Sequence, residues 1–93
     1  MMPRYFVSYR KVDEGVAATD KPEWASFSVE SGSSLEAHAI QEQVQRRLDL
    51  FGERLYGSGE VLWLGQQPLD ELLMKREELA PEVSIVYGLI EER

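Results

Sequence analysis

The chain has no cysteine and a single histidine among its 93 residues. Without thiols there is no disulfide, no thiolate nucleophile and no cysteine-ligated zinc or iron–sulfur centre. Small secreted domains commonly depend on disulfides, so the expected compartment is a reducing one. Long apolar runs are missing too. Val61–Leu64 and Ile85–Tyr87 are the longest, far short of a membrane span, and Met1-Met2-Pro3-Arg4-Tyr5 does not read as a secretory leader. The expectation is a cytoplasmic domain with no membrane partner. Positive charge is scarce as well: ten Lys and Arg stand against seventeen Asp and Glu, a net charge of −7. Such a surface repels phosphate backbones and favours solubility, which counts against nucleic acid as a partner.

What is present suits one globular domain over residues 1–93, with 43% hydrophobic and 29% charged residues. Residues 4–12 are rich in aromatic and β-branched types and read as a strand, with Tyr5, Val7 and Tyr9 on one face and Phe6, Ser8 and Arg10 on the other. Residues 13–22 read as a long loop punctuated by Gly15 and Pro22. Residues 23–30 alternate cleanly: Ala25, Phe27 and Val29 share one side, and Trp24 shares the other with Ser26 and Ser28. Ser33 and Glu36 match a capping box, opening a helix expected to reach Tyr56 on a stripe of Leu35, Ile40, Val44, Leu48, Phe51 and Leu55. Gly52 is the one point inside it that could end it early. Residues 60–65 suit a central strand buried on both faces. Pro68 suits the first position of a second helix, stopped by Ala80-Pro81, and residues 82–90 a last strand.

The expected fold class is α+β: a two-layer sandwich of a four-stranded mixed sheet with two helices, in the order β-β-α-β-α-β, both helices on one face. The first two strands are expected to pair antiparallel.

Few residues invite chemistry. His38 lies on the first turns of the long helix, with Glu42 one turn later; it could move a proton, or simply form a surface pair. One histidine among scattered carboxylates makes a poor metal site, and Asp13, Glu14 and Asp20 on the loop lack the spacing of a calcium loop. Tyr56-Gly57-Ser58-Gly59-Glu60 is glycine-rich, but it follows a helix and precedes a strand, the wrong polarity for a phosphate cradle. No metal, cofactor or catalytic group is expected. Arg46, Arg47 and Arg54 form one basic cluster that a nucleic-acid reading would use, although Glu42, Asp49 and Glu53 offset it.

The aromatic residues are the better clue. Tyr5, Tyr9 and Trp24, with Trp63, do not all fit on one helix-covered face, so two strands are expected to present rings outward on the open side of the sheet. The leading expectation is therefore a non-enzymatic domain that binds another protein or pairs as a homodimer, through Tyr5, Tyr9, Trp24 and Ser26. A second is a small-ligand domain with a pocket between sheet and helices, using His38 or Tyr87 for the polar contact. A third is nucleic-acid binding through Arg46, Arg47 and Arg54.

Overall fold

The computed structural model describes residues 3–13 and 22–90. Its elements run β1 (Arg4–Asp13), β2 (Glu23–Glu30), α1 (Ala37–Phe51), β3 (Glu53–Leu55), β4 (Glu60–Gln67), α2 (Leu69–Glu77) and β5 (Val83–Ile90). The α+β class, the mixed sheet and the order of the two helices among the long strands are those expected from the sequence. The sheet is ordered β2-β1-β5-β4. β1 pairs antiparallel with β2 and with β5, and β5 pairs parallel with β4 through the α2 crossover.

Two element boundaries differ from expectation. α1 stops at Phe51 because Gly52 takes the left-handed conformation (φ 66°) and its N–H reaches back to the carbonyl of Leu48. Residues 53–55 then form β3, which pairs with Lys11–Asp13; Lys11 thus lies between Glu23 of β2 and Leu55 of β3. The helix also starts later than a capping box would place it. Glu36 is the N-cap and makes no side-chain cap, while Ser31 and Ser33 bond to each other in the preceding turn.

β4 is an outer strand rather than a central one. α2 returns the chain so that β5 inserts between β1 and β4, leaving Trp63 46% exposed. Its ladder with β5 is irregular, with register shifts at Glu60/Val61 and between Trp63 and Gln66.

The two helices lie on opposite faces of the sheet, which corrects the expectation that both cover one side. The first face carries Tyr5, Val7 and Tyr9, then Phe27, Ile85 and Tyr87, and buries Ile40, Val44 and Leu48 of α1 against them. Side-chain alternation puts Ser8, Arg10, Trp24, Ser26, Ser84, Val86 and Gly88 on the second face. α2 covers part of that face: Leu72 is buried, and its Cδ2 lies only 2.9 Å from where a Cβ on Gly88 would stand. The sequence concealed this because, of the apolar residues Leu69, Leu72, Leu73 and Met74 on α2, only Leu72 is buried, and part of the helix's contact is polar.

A test of this layering is Gly88→Ala. The added methyl meets both Leu72 and, at 2.7 Å, the carbonyl oxygen of Gly65. Urea unfolding should show a loss of about 1–3 kcal/mol, the usual cost of overpacking. An unchanged midpoint would mean that α2 does not sit on this face.

Candidate functional site

On the second face, three hydroxyl and guanidinium groups from distant parts of the chain meet. Ser8 on β1 and Ser26 on β2 are cross-strand partners, and their Oγ atoms lie 2.8 Å apart. Arg76 of α2 donates from Nη1 to Ser8 Oγ at 2.8 Å and to Ser26 Oγ at 2.9 Å. Leu72 and Arg76 are four residues apart on α2, so one side of the helix supplies both the apolar and the polar contact.

Beside this anchor sits Trp24, cross-strand from Arg10. The Arg10 guanidinium lies 4.7 Å from the indole centroid and that of Arg76 5.6 Å from it, both within cation–π range. Arg10 is buried and donates from Nη2 to the carbonyl of Leu79. Burial lowers the pKa of Arg76, opposed by Glu77, whose carboxylate is 3.8 Å from Arg76 Nε. The Nε atoms of Arg10 and Arg76 are both buried without a hydrogen-bond partner among the described residues. Two partly desolvated cations thus flank one indole, in a chain of net charge −7. An open cleft of about 220 Å³ adjoins them, lined by Arg10, Pro22, Trp24, Glu77 and Leu79.

The expected interface residues are accordingly split between faces. Tyr5 and Tyr9 are 6% and 2% exposed and belong to the core under α1, so they are not presented outward. Trp24 and Ser26 share the second face as expected, but with Arg10 and Arg76 against them rather than open water. The expected common face for Tyr5, Tyr9 and Trp24 does not exist: the antiparallel register sets Tyr9 against Ala25 and Arg10 against Trp24, so the tyrosines lie on the face that α1 covers and the indole on the other.

β2 is the outer strand next to this cluster. It pairs with β1 over its whole length, from Arg4↔Glu30 to Lys11↔Glu23, without a register shift. Its other edge has no strand partner among the described residues. Ser26 and Ser28 are exposed, and only Glu23 and Glu30 at its ends carry charge. Phe27 points to the first face, where the Arg47 guanidinium stacks 4.3 Å from its ring centroid.

A second feature lies on the first face at the far side of the sheet. Trp63 and Tyr87 have centroids 4.8 Å apart, and Tyr5 lies 6.2 Å from Trp63 and 6.5 Å from Tyr87. With Ser34, Leu35 and Leu89 these rings line an open cleft of about 410 Å³. Tyr87 donates its hydroxyl to the carbonyl of Leu35 at 3.3 Å. Tyr87 therefore lines a space between the sheet and the turn that precedes α1, rather than one between sheet and helices. His38 does not join it: it is exposed, with Nδ1 3.4 Å from Glu36 rather than beside Glu42.

The basic cluster does not assemble on one helix. Arg46 is exposed on α1, Arg47 covers Phe27, and Arg54 belongs to β3, paired in register with Val12. Gly52 ends the helix before Arg54 can share its face. The glycine-rich turn proves to be a β3–β4 connection pinned to the start of β5: Gly59 N–H donates to Ser84 Oγ at 3.1 Å, and Ser58 Oγ donates to the carbonyl of Glu82. No group of three or more His, Asp or Glu suited to a metal occurs among the described residues, and Glu14 and Asp20 lie outside them. No described helix is long and apolar enough to cross a membrane. No protein family, curated protein or solved structure matches the chain.

Three groups titrate late. A hydrogen bond to Glu53 raises the pKa of Lys11 above its ordinary 10.5. Burial raises Tyr9 and Tyr87 above 10.0, aided by Glu53 for Tyr9 and by Tyr5 and Glu36 for Tyr87. In each case the folded chain holds the proton more tightly than the unfolded one. Their contribution is full below the ordinary values and is lost as pH rises through the raised ones. Stability should therefore fall as pH rises past the ordinary values of 10.0 and 10.5, and Lys11→Met and Tyr87→Phe should each flatten that fall. Chemical denaturation across these pH values checks this; a flat profile would refute it.

Proposed function

We propose that this chain is a non-enzymatic protein-interaction domain that accepts an extended strand along the outer edge of β2. The observation that carries the reading is the contrast between the two outer strands. β2 offers an uninterrupted register of eight residues, whereas β4 is broken by shifts around Gly65. A regular outer strand presents a row of unmet N–H and C=O groups, and strand addition satisfies them. Natural edges are commonly blunted by lysine, proline or a bulge. β2 contains neither lysine nor proline and no bulge. No described group of three or more His, Asp or Glu suited to a metal competes with this reading.

Amide hydrogen exchange tests it. The β2 amides directed away from β1 should exchange fast in dilute protein. They should become at least tenfold slower when an excess of an alternating Thr–Val peptide flanked by Glu is added. The same peptide with proline at alternate positions should have no effect, because it cannot complete the ladder. Absence of protection on β2 with the first peptide would end the proposal.

The Tyr5–Trp63–Tyr87 cleft supports a second reading, a small-ligand site, because its volume of about 410 Å³ and aromatic walls suit a small flat molecule. Indole should slow hydroxyl-proton exchange of Tyr87 and shift the methyl signals of Leu35 and Leu89 at millimolar concentration. Trp63→Ala should abolish those shifts and His38→Ala should leave them; no shift in the parent protein removes the reading.

A further inference from the structure

We infer that the strand received by β2 is the β2 of a second copy of this chain, antiparallel about a two-fold axis through Phe27, with Glu30 of each copy seated against the Arg10–Trp24–Arg76 cluster of the other. This inference rests on the strand-addition reading and names its partner. The sequence of β2 is self-complementary about Phe27. Antiparallel neighbours share a face, so only pairings that keep parity are allowed. Centred on Phe27, Ser26 meets Ser28 of the other copy and Ala25 meets Val29, hydroxyl against hydroxyl and methyl against isopropyl. Trp24 meets Glu30, and Glu23 meets the uncharged Ser31. No carboxylate opposes a carboxylate, which matters for two chains that each carry −7.

The row through Trp24 explains the unusual cations. Within one copy it runs from Arg10 on β1 to Trp24 on β2. At the other end of the strand the equivalent row runs from Arg4 to Glu30, whose side chains pair at 3.3 Å and are both about half exposed. Joining two copies makes one continuous row: Arg10, Trp24, the second copy's Glu30, the second copy's Arg4. A directly opposed residue has its Cβ about 5 Å away, so Glu30 reaches the edge of the indole on which Arg10 and Arg76 stack. The carboxylate then adds negative charge beside two part-buried guanidiniums, of which that of Arg76 already has Glu77 at 3.8 Å. The two-fold axis repeats the arrangement, giving two such rows per pair.

Sedimentation velocity of the full chain at rising concentration is the first test, with a reversible dimer expected. Ser28→Lys, an exposed change that sets an ammonium opposite Ser26 and beside Arg76 of the other copy, should weaken dimerisation at least tenfold. Glu30→Gln should weaken it by about tenfold, since a modest exposed ion-pair contact is lost twice, and should reduce its sensitivity to salt. The absence of native cysteine permits a register test. Under mild oxidation, Ser26→Cys mixed with Ser28→Cys should form a crosslinked heterodimer, and neither variant alone should. A dimer indifferent to both Ser28→Lys and Glu30→Gln overturns the inference, as does crosslinking by Ser26→Cys alone, which marks a shifted axis. A strictly monomeric chain also overturns it. If the alternating peptide still protects β2 in that case, strand addition stands and only the identity of the partner falls.

Discussion

The guanidinium of Arg76, shared between Ser8 and Ser26, is the contact on which the layering of this molecule turns. The first face of the sheet needs no such device. Its residues are apolar in the right period, and α1 is held there by burial of Ile40, Val44 and Leu48. The second face mixes the hydroxyls of Ser8, Ser26 and Ser84 with Arg10, Trp24 and Val86, and a helix as short as α2 gains little from apolar area alone. A charged donor shared between the buried Ser8 and the exposed Ser26 supplies direction as well as energy. It ties α2 to β1 and β2, while the strand order makes β2 and β4 the outer strands.

The same contact gathers the rest of the second-face chemistry. Because α2 is drawn towards β1, its end delivers the carbonyl of Leu79 to Arg10, and Arg10 in turn stacks on Trp24. Trp24 is thus held between cations rather than buried in hydrocarbon. That is a costly way to use two arginines unless something negative completes the set.

Much of the architecture was legible in the residues. β2 spans the residues its alternation indicated, and Tyr5, Val7 and Tyr9 do share a face. Period-two and period-3.6 patterns report local backbone, and there they served well. What they do not carry is which side of a sheet a crossover helix takes when that side is polar. Leu72 and Arg76 on one side of α2 were the available signal, with Ser8, Arg10 and Trp24 on one side of the strands. The helix boundary at Gly52 was visible as a breaker, but β3 beyond it was hidden because Leu55 also fits a helical stripe. Trp24, Ser26 and Tyr87, which line the candidate surfaces, were among the residues the sequence singled out. Arg10 and Arg76 were missed, since a lone arginine in a strand or helix reads as a solvated charge until its neighbours are known.

The interruption of β4 near Gly65 sets a limit on how large any assembly can grow. A sheet with two receptive borders can recruit copies without end, which is the geometry of filaments. Here one border is regular and the other is kinked out of register. Joining the regular borders by a two-fold axis consumes both of them and leaves only kinked ones outside. A pair joined in the proposed way would therefore be closed and poorly suited to propagate into a fibre.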